Sequence, residues 1–319
     1  MRQLTPTLFN ELKDEKKGKF HALLEYVKAD DTLDMEFRRN SFTLYYRGGA
    51  ILTIEENEYE NTDGTKEYKY NWKGINKKYL LASKLKHNAV DFEEYIPEAK
   101  HIMDRYICIG PKNHLGEKEI QQLVVKENNY SQNSQDTDYF IVDMEYTEGG
   151  GKDGYRFDLI AVRWDSIGSA RRKNEVSLAI IEVKQGFNSV RTSSGSPGLL
   201  SHQEDFSNFI DEKKSSGVLK DFCEDMVMIF KQKCELGLIL PQKIKHKIKD
   251  ITQKFKLNVE DNVDLICLLA NYKKASDELH NELNEMELKG MKPCKFIRSH
   301  YCGYGLYADE IFTLTSKDL

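Results

Sequence analysis

Three short runs rich in apolar positions near the start of the chain read as strands: residues 33–37, 42–46 and 50–54. Arg39-Asn40-Ser41 and Gly48-Gly49 separate them, which predicts a three-stranded meander. Residues 55–79 are polar and rich in Tyr and Lys, so they read as a loop or an exposed hairpin. The period then changes. Residues 20–28 suit a short helix, and Phe92, Ile96, Ala99 and Met103 recur at helical spacing over residues 91–106. Ile120, Leu123 and Val124 do the same over 117–127. Three strands follow at 139–146, 155–164 and 176–184, divided by polar loops. Ser201 and Glu204 have capping-box spacing and start a predicted helix at 201–212. Further helices are expected at 218–236 and 276–289, and further strands at 263–271, 295–301 and 307–315. The order predicts an α/β fold: a mixed central sheet flanked by helices, with a β-rich N-terminal extension. Residues 1–95 form that extension in this reading, and residues 96–319 the main body.

Composition narrows the class. The chain has 319 residues, of which 39% are hydrophobic and 31% charged, enough for a large core under a well-solvated surface. The net charge of -5 excludes a generally basic protein, so nucleic-acid contact would need local patches. The six cysteines form no C-x-x-C and fit no zinc template, as expected of reduced thiols inside a cell. The first residues lack an apolar signal region, and no apolar run is long enough to span a bilayer. A soluble, cytoplasmic protein without membrane contact is the expectation.

Charge inside the strands at 155–164 and 176–184 is the feature that needs explaining. Both strands are apolar on both faces and should therefore be central in the sheet. Yet Asp158 sits within the first, and Glu182 and Lys184 end the second. A hairpin centred near residue 170 pairs positions whose numbers sum to about 340, which sets Asp158 opposite Glu182. Lys184, two residues on, shares their face. Two adjacent carboxylates repel, and burying even one unpaired carboxylate costs several kcal/mol. A divalent cation removes that cost. The plain alternative is an ion pair that caps strand ends.

Asp158, then 23 residues, then Glu182-Val183-Lys184 resembles the signature of the PD-(D/E)XK nuclease superfamily. The resemblance covers about residues 115–212, with the strand at 263–271 as a further part. It implies a restriction-endonuclease-like core. It also implies an upstream helix bearing a Glu, for which Glu119, with Glu117 second, is the candidate. A helix after the Glu-x-Lys strand would bring His202, Gln203 and Asp205 to the substrate. Phe157 stands where the name has Pro, and Gln203 is followed four residues later by Ser207 rather than Tyr. The second departure separates the chain from the recombination-exonuclease branch. By this resemblance Asp158, Glu182 and the Val183 carbonyl bind Mg²⁺, with Mn²⁺ as a substitute. Asp158, Glu182, Lys184 and Glu119 are then the catalytic set, and Lys184 positions the attacking water.

The function so implied is Mg²⁺-dependent hydrolysis of phosphodiester bonds, in DNA, with a prokaryotic defence, restriction or repair role. A double-strand cutter needs two sites and hence a homodimer. The rivals are a non-catalytic nucleic-acid-binding protein on the same fold and a hydrolase of RNA or small molecules. Further substrate contacts are expected from Arg191 and from Lys243, Lys245, Lys247 and Lys249 on an amphipathic basic helix at 242–256. A solvated outer face explains that helix equally well. Arg171-Arg172-Lys173 is a phosphate-contact candidate on the hairpin loop. Tyr45, Tyr46 and Arg47 fit packing better than base stacking.

Overall fold

A computed structural model describes residues 2–76, 79, 91–109, 116–130, 137–149, 154–167, 169, 175–186, 189–191, 198–239, 256–257, 263–270, 276–291, 293–299 and 303–318. Among these residues the fold is mixed α/β, with seven helices and two sheets.

The chain opens with a helix that the hydrophobic pattern did not predict, α1 (Pro6–Lys13). Thr5 caps it by accepting the Leu8 amide at 3.1 Å, and Pro6 occupies the first turn, where a missing N–H is harmless. Helix α2 (His21–Ala29) follows. Strands β1 (Leu33–Phe37), β2 (Ser41–Tyr46) and β3 (Gly49–Glu60) form the expected meander. The polar segment beyond it is a hairpin. β3 runs on to Glu60 and pairs along its length with β4 (Lys66–Gly74). Cross-strand pairs such as Lys66–Glu58 at 2.6 Å and Lys73–Glu55 at 2.5 Å replace apolar burial on this exposed ribbon.

Helices α3 (Phe92–Ile109) and α4 (Glu117–Asn129) lead into the second sheet. Its strands are β5 (Tyr139–Glu148), β6 (Tyr155–Arg163), β7 (Glu175–Gln185), β9 (Val263–Ala270), β10 (Lys295–Ser299) and β11 (Phe312–Thr313), in the order β11-β10-β9-β7-β6-β5. A two-residue strand, β8 (Lys256–Leu257), pairs with the start of β7. β5, β6 and β7 are antiparallel; β9 and β10 run parallel to β7. Parallel neighbours need crossovers. The first carries α5 (Leu199–Ser215) and α6 (Leu219–Leu236), and the second carries α7 (Asp277–Leu288).

Strand alternation sorts the core. Leu159, Ala161, Ile181 and Val183 face Ile120, Val124 and Val125 of α4. Ile160, Val162 and Ile180 face Phe209, Phe222 and Phe230 of α5 and α6. The central strands are thus covered on both faces. The same second cluster includes Phe37, Phe42 and Ile54 of the first sheet, so the N-terminal strands and the body share one core. A division between residues 95 and 96 falls inside α3. Charges also cross this junction. Lys233 of α6 and Glu36 of β1 are 1% and 0% exposed and pair at 2.8 Å. Arg38 pairs with buried Asp143.

Two sequence expectations are corrected, and a third falls largely outside the described residues. α5 begins at Leu199 with Gly198 as its cap, rather than at Ser201. Leu199 and Leu200 bury against α7, and Glu282 of α7 accepts the Leu200 amide at 3.1 Å, doing the capping work expected of Ser201. Glu204 pairs with Lys289 instead, at 2.6 Å. Residues 307–315 contain only the two-residue β11, preceded by a 3-10 turn at Ala308–Glu310. The basic helix predicted at 242–256 lies outside the described residues except for Lys256, which is in a strand.

Candidate functional site

The hairpin of β6 and β7 has the predicted register: Arg163 pairs with Ser177, Val162 with Leu178, Ile160 with Ile180 and Leu159 with Ile181. The ladder ends there, one position short of Asp158 and Glu182. Beyond that point a side chain replaces a strand bond, and Asp158 Oδ2 accepts the Val183 amide at 2.8 Å. The other neighbour of Asp158 is interrupted as well. Met144 pairs with Leu159 and Tyr146 with Phe157, and the register skips Glu145 and Asp158. Glu145 is in the left-handed region, with φ 57°, and its carboxylate pairs with Lys118 of α4. Asp158 therefore stands where the sheet opens on both sides.

Glu182 is 1% exposed and Lys184 is 4% exposed. Glu182 Oε2 lies 3.2 Å from His202 Nδ1, and the Asp158 backbone and carboxyl are its other polar neighbours. Burial pushes the Glu182 carboxyl well above its usual range, and the neighbouring Asp158 charge pushes it further, against the pull of Lys184. Asp158 is raised too, chiefly by burial; Lys184 and the Val183 amide oppose this, and Glu117 adds to it. Lys184 Nζ lies 2.9 Å from His202 Nε2. An ammonium only donates, so Nε2 accepts and a neutral imidazole carries its proton on Nδ1, facing Glu182. His202 thus bridges the Glu and the Lys of the Glu-x-Lys strand.

The remaining candidates are placed as follows. Glu117, in the first turn of α4, accepts the Gln185 amide at 3.2 Å and is the α4 carboxylate beside the strand end. Glu119 turns to the N-terminal sheet and binds Arg47 at 2.8 Å. Gln203 is buried and accepts from Cys294 Sγ at 3.1 Å, towards α7 and β10. Asp205 is half-buried, which raises its carboxyl, helped by Glu204. Arg191 is exposed beside Asp277, Glu278 and Glu285 of α7, an acidic neighbourhood. Tyr45 is buried, Tyr46 donates to Asp104 at 3.0 Å, and Arg47 binds Asp104 at 2.9 Å. Lys243, Lys245, Lys247, Lys249 and Arg171-Arg172-Lys173 lie outside the described residues.

Glu145 was not anticipated. Its signal in the sequence was a charge between Met144 and Tyr146, within a strand that also carries Asp143. A left-handed backbone strains a residue with a side chain by about 1–3 kcal/mol. Glu145→Gly is expected to stay within about 1 kcal/mol of the parent, whereas Glu145→Val loses about 1–3 kcal/mol because a β-branched residue resists that conformation. Urea denaturation distinguishes the two. Equal losses would mean that the pair with Lys118, not the backbone, sets the requirement.

Among the described residues, no group of three or more His, Cys, Asp and Glu side chains is arranged to hold a metal ion. Asp158 and Glu182 are a pair of hard oxygen donors side by side, with Glu182 buried. Such a donor set fits a cation that keeps most of its positions for water and substrate, as Mg²⁺ does. No helix among the described residues is long and apolar enough to cross a membrane. No protein-family model matches the chain, and no curated protein or solved structure matches it.

Proposed function

We propose that the chain is a Mg²⁺-dependent nuclease that hydrolyses phosphodiester bonds, with DNA as its substrate. One observation carries the reading: buried Glu182 lies beside Asp158, with Lys184 on the same face, at an opening in the sheet. Two carboxylates brought together against one lysine leave a negative charge that a structural ion pair does not need and that a cation would neutralise. The element order adds support. Helix α4, strands β5, β6 and β7, helix α5 and a strand parallel to β7 are the succession that the resemblance to PD-(D/E)XK nucleases implies.

Asp158, Glu182 and the Val183 carbonyl would hold the cation, which when bound lowers the pKa of water and neutralises charge on the phosphoryl group. The protein's own part is orientation. The Val183 amide fixes one oxygen of Asp158, leaving the other for coordination. His202 holds the Lys184 ammonium on the carboxylate face. Lys184 has two further protons to donate to a phosphate oxygen, where charge grows during attack. Glu117 secures the backbone one residue beyond Lys184.

The test is to incubate the protein with plasmid, linear duplex, single-stranded DNA and RNA in Mg²⁺, Mn²⁺ or EDTA, beside Asp158→Ala and Lys184→Ala. Cleavage with either metal, none in EDTA and loss in both variants is the expected result. Equal cleavage by all three proteins would remove the site. DNA binding without cleavage of any substrate would favour a binding protein on this fold. Preference for RNA would change the substrate and leave the site standing.

A further inference from the structure

The site has a neighbour that the hydrolytic reading leaves unused. A cavity of about 480 Å³ lies between the turn at Gly48-Gly49, helix α3 and the start of α4. Glu117 and Gln185 form part of its wall. Gln185 follows Lys184 directly, and its amide bonds Glu117. The cavity is therefore continuous with the strand end that carries the candidate catalytic groups.

Its chemistry is aromatic, and its charges balance: Arg47 and Lys118 stand against Glu117 and Glu119, and Lys118 pairs with Glu145. Tyr79 and Tyr106 meet edge to face, with ring centres 5.0 Å apart. Met103 adds a polarizable sulfur. Arg47 also borders the space, but its guanidinium is committed to Glu119 at 2.8 Å and Asp104 at 2.9 Å. With both cations paired and Glu117 and Glu119 on the wall, no surplus charge draws a phosphate. A flat, neutral ring with hydrogen-bonding edges suits tyrosine, methionine and carboxylate neighbours. The volume falls within the range of small-ligand sites and exceeds what one side chain fills.

The cavity is also preformed. A Cβ on Gly48 would lie 2.3 Å from the Lys118 carbonyl group, and one on Gly49 would lie 2.3 Å from the Met103 methyl. Gly48 also has φ 73° and donates its amide to Gln122 at 2.6 Å. The turn seats against α4 only because Gly48 has no side chain; at Gly49 the clash is with the flexible end of Met103.

We propose that this cavity takes one unstacked nucleobase of the strand whose backbone is cut at Asp158 and Glu182. The inference rests on the nuclease reading. It gives the N-terminal sheet a place in substrate recognition, through the β2–β3 turn. It also makes single-stranded or locally opened DNA the preferred substrate, because a stacked, paired base cannot enter.

Single-stranded oligonucleotides, each with 2-aminopurine at one position, are mixed with the wild-type protein in EDTA. One position should change in fluorescence on binding, and Tyr106→Ala should abolish that change while Tyr106→Phe retains it. In Mg²⁺, Tyr106→Ala should raise KM about tenfold or more and alter kcat by less than about twofold, the scale of losing one base–aromatic stack. An abasic residue at the responding position should raise the wild-type KM to a similar degree, which needs no variant. If the wild-type protein cleaves DNA but no position responds and the abasic strand is cut equally well, the pocket is refuted and the nuclease reading stands. If it neither binds nor cleaves any nucleic acid, both fall.

Discussion

Lys233→Met is expected to lower the stability of the fold by about 3–5 kcal/mol, the largest loss predicted for any single change outside the site. Lys233 and Glu36 are almost wholly buried and pair at 2.8 Å where α6 meets β1. Removing the ammonium leaves the carboxylate with only the weaker influence of Arg38 against two acidic neighbours, Asp34 and Asp143. Burial already pushes the Glu36 carboxyl well above its usual range, and Lys233 is the chief influence opposing that rise. In the variant the carboxyl rises further. A raised carboxyl favours folding below its unfolded value, near 4.5, and that advantage is lost as pH climbs through the folded value. The gap between parent and variant should therefore narrow as pH falls from 7 to 5. Urea denaturation at both pH values measures it. Lys233→Met combined with Glu36→Leu should recover most of the loss, because an apolar pair of similar volume removes both desolvation penalties. A double variant as unstable as the single one would show that packing, not the unpaired charge, accounts for the effect.

The second large effect has opposite signs for activity and stability. Glu182→Gln should stabilise the metal-free protein and abolish cleavage. The side chain keeps its shape but no longer brings a buried charge beside Asp158. Glu182 is raised by burial and by Asp158, so its contribution to stability is complete below its ordinary value of 4.5 and declines as pH rises through the folded value. The variant's advantage should accordingly be absent at low pH and grow towards neutrality. Thermal unfolding in EDTA across that range tests this. Mg²⁺ should raise the melting temperature of the parent and leave that of the variant unchanged, because only the parent has the full donor set. Lys184→Ala should lose about 10²–10³ in kcat, the usual penalty for removing one preorganised donor at a developing charge. A variant that lost stability at neutral pH, or kept its activity, would contradict the site.

How much of this was legible in the sequence depends on the range of the interaction responsible. The register of β6 and β7 was readable because both strands are apolar on both faces and their loop has a clear midpoint. The same pattern set Asp158, Glu182 and Lys184 on one face. The choice between Glu117 and Glu119 was not readable. Both fall in the first turn of α4, about 200° apart around the axis, so they meet different partners. Glu117 accepts the Gln185 amide, and Arg47, far away in the chain, pairs with Glu119. His202 was a candidate for the site, but its link between Glu182 and Lys184 depends on where α5 begins. Buried leucines and Glu282 fix that start, and neither belongs to a local capping rule. Glu145 shows the same limit, since the pair with Lys118 joins it to another element.

The crossover between β7 and β9 has a kinetic consequence. The β6–β7 hairpin closes a short loop, whereas the parallel pairing of β7 with β9 waits on a much longer one that carries α5 and α6. Local contacts form early and distant ones late. Asp158 and Glu182 can thus meet while still hydrated, and they lose water only when α5 settles over the hairpin. Their repulsion is then felt mainly after the rate-limiting barrier. Neutralising Glu182 should slow unfolding and leave the refolding rate nearly unchanged, so the chemical tension of the site would appear as a shorter lifetime of the native state.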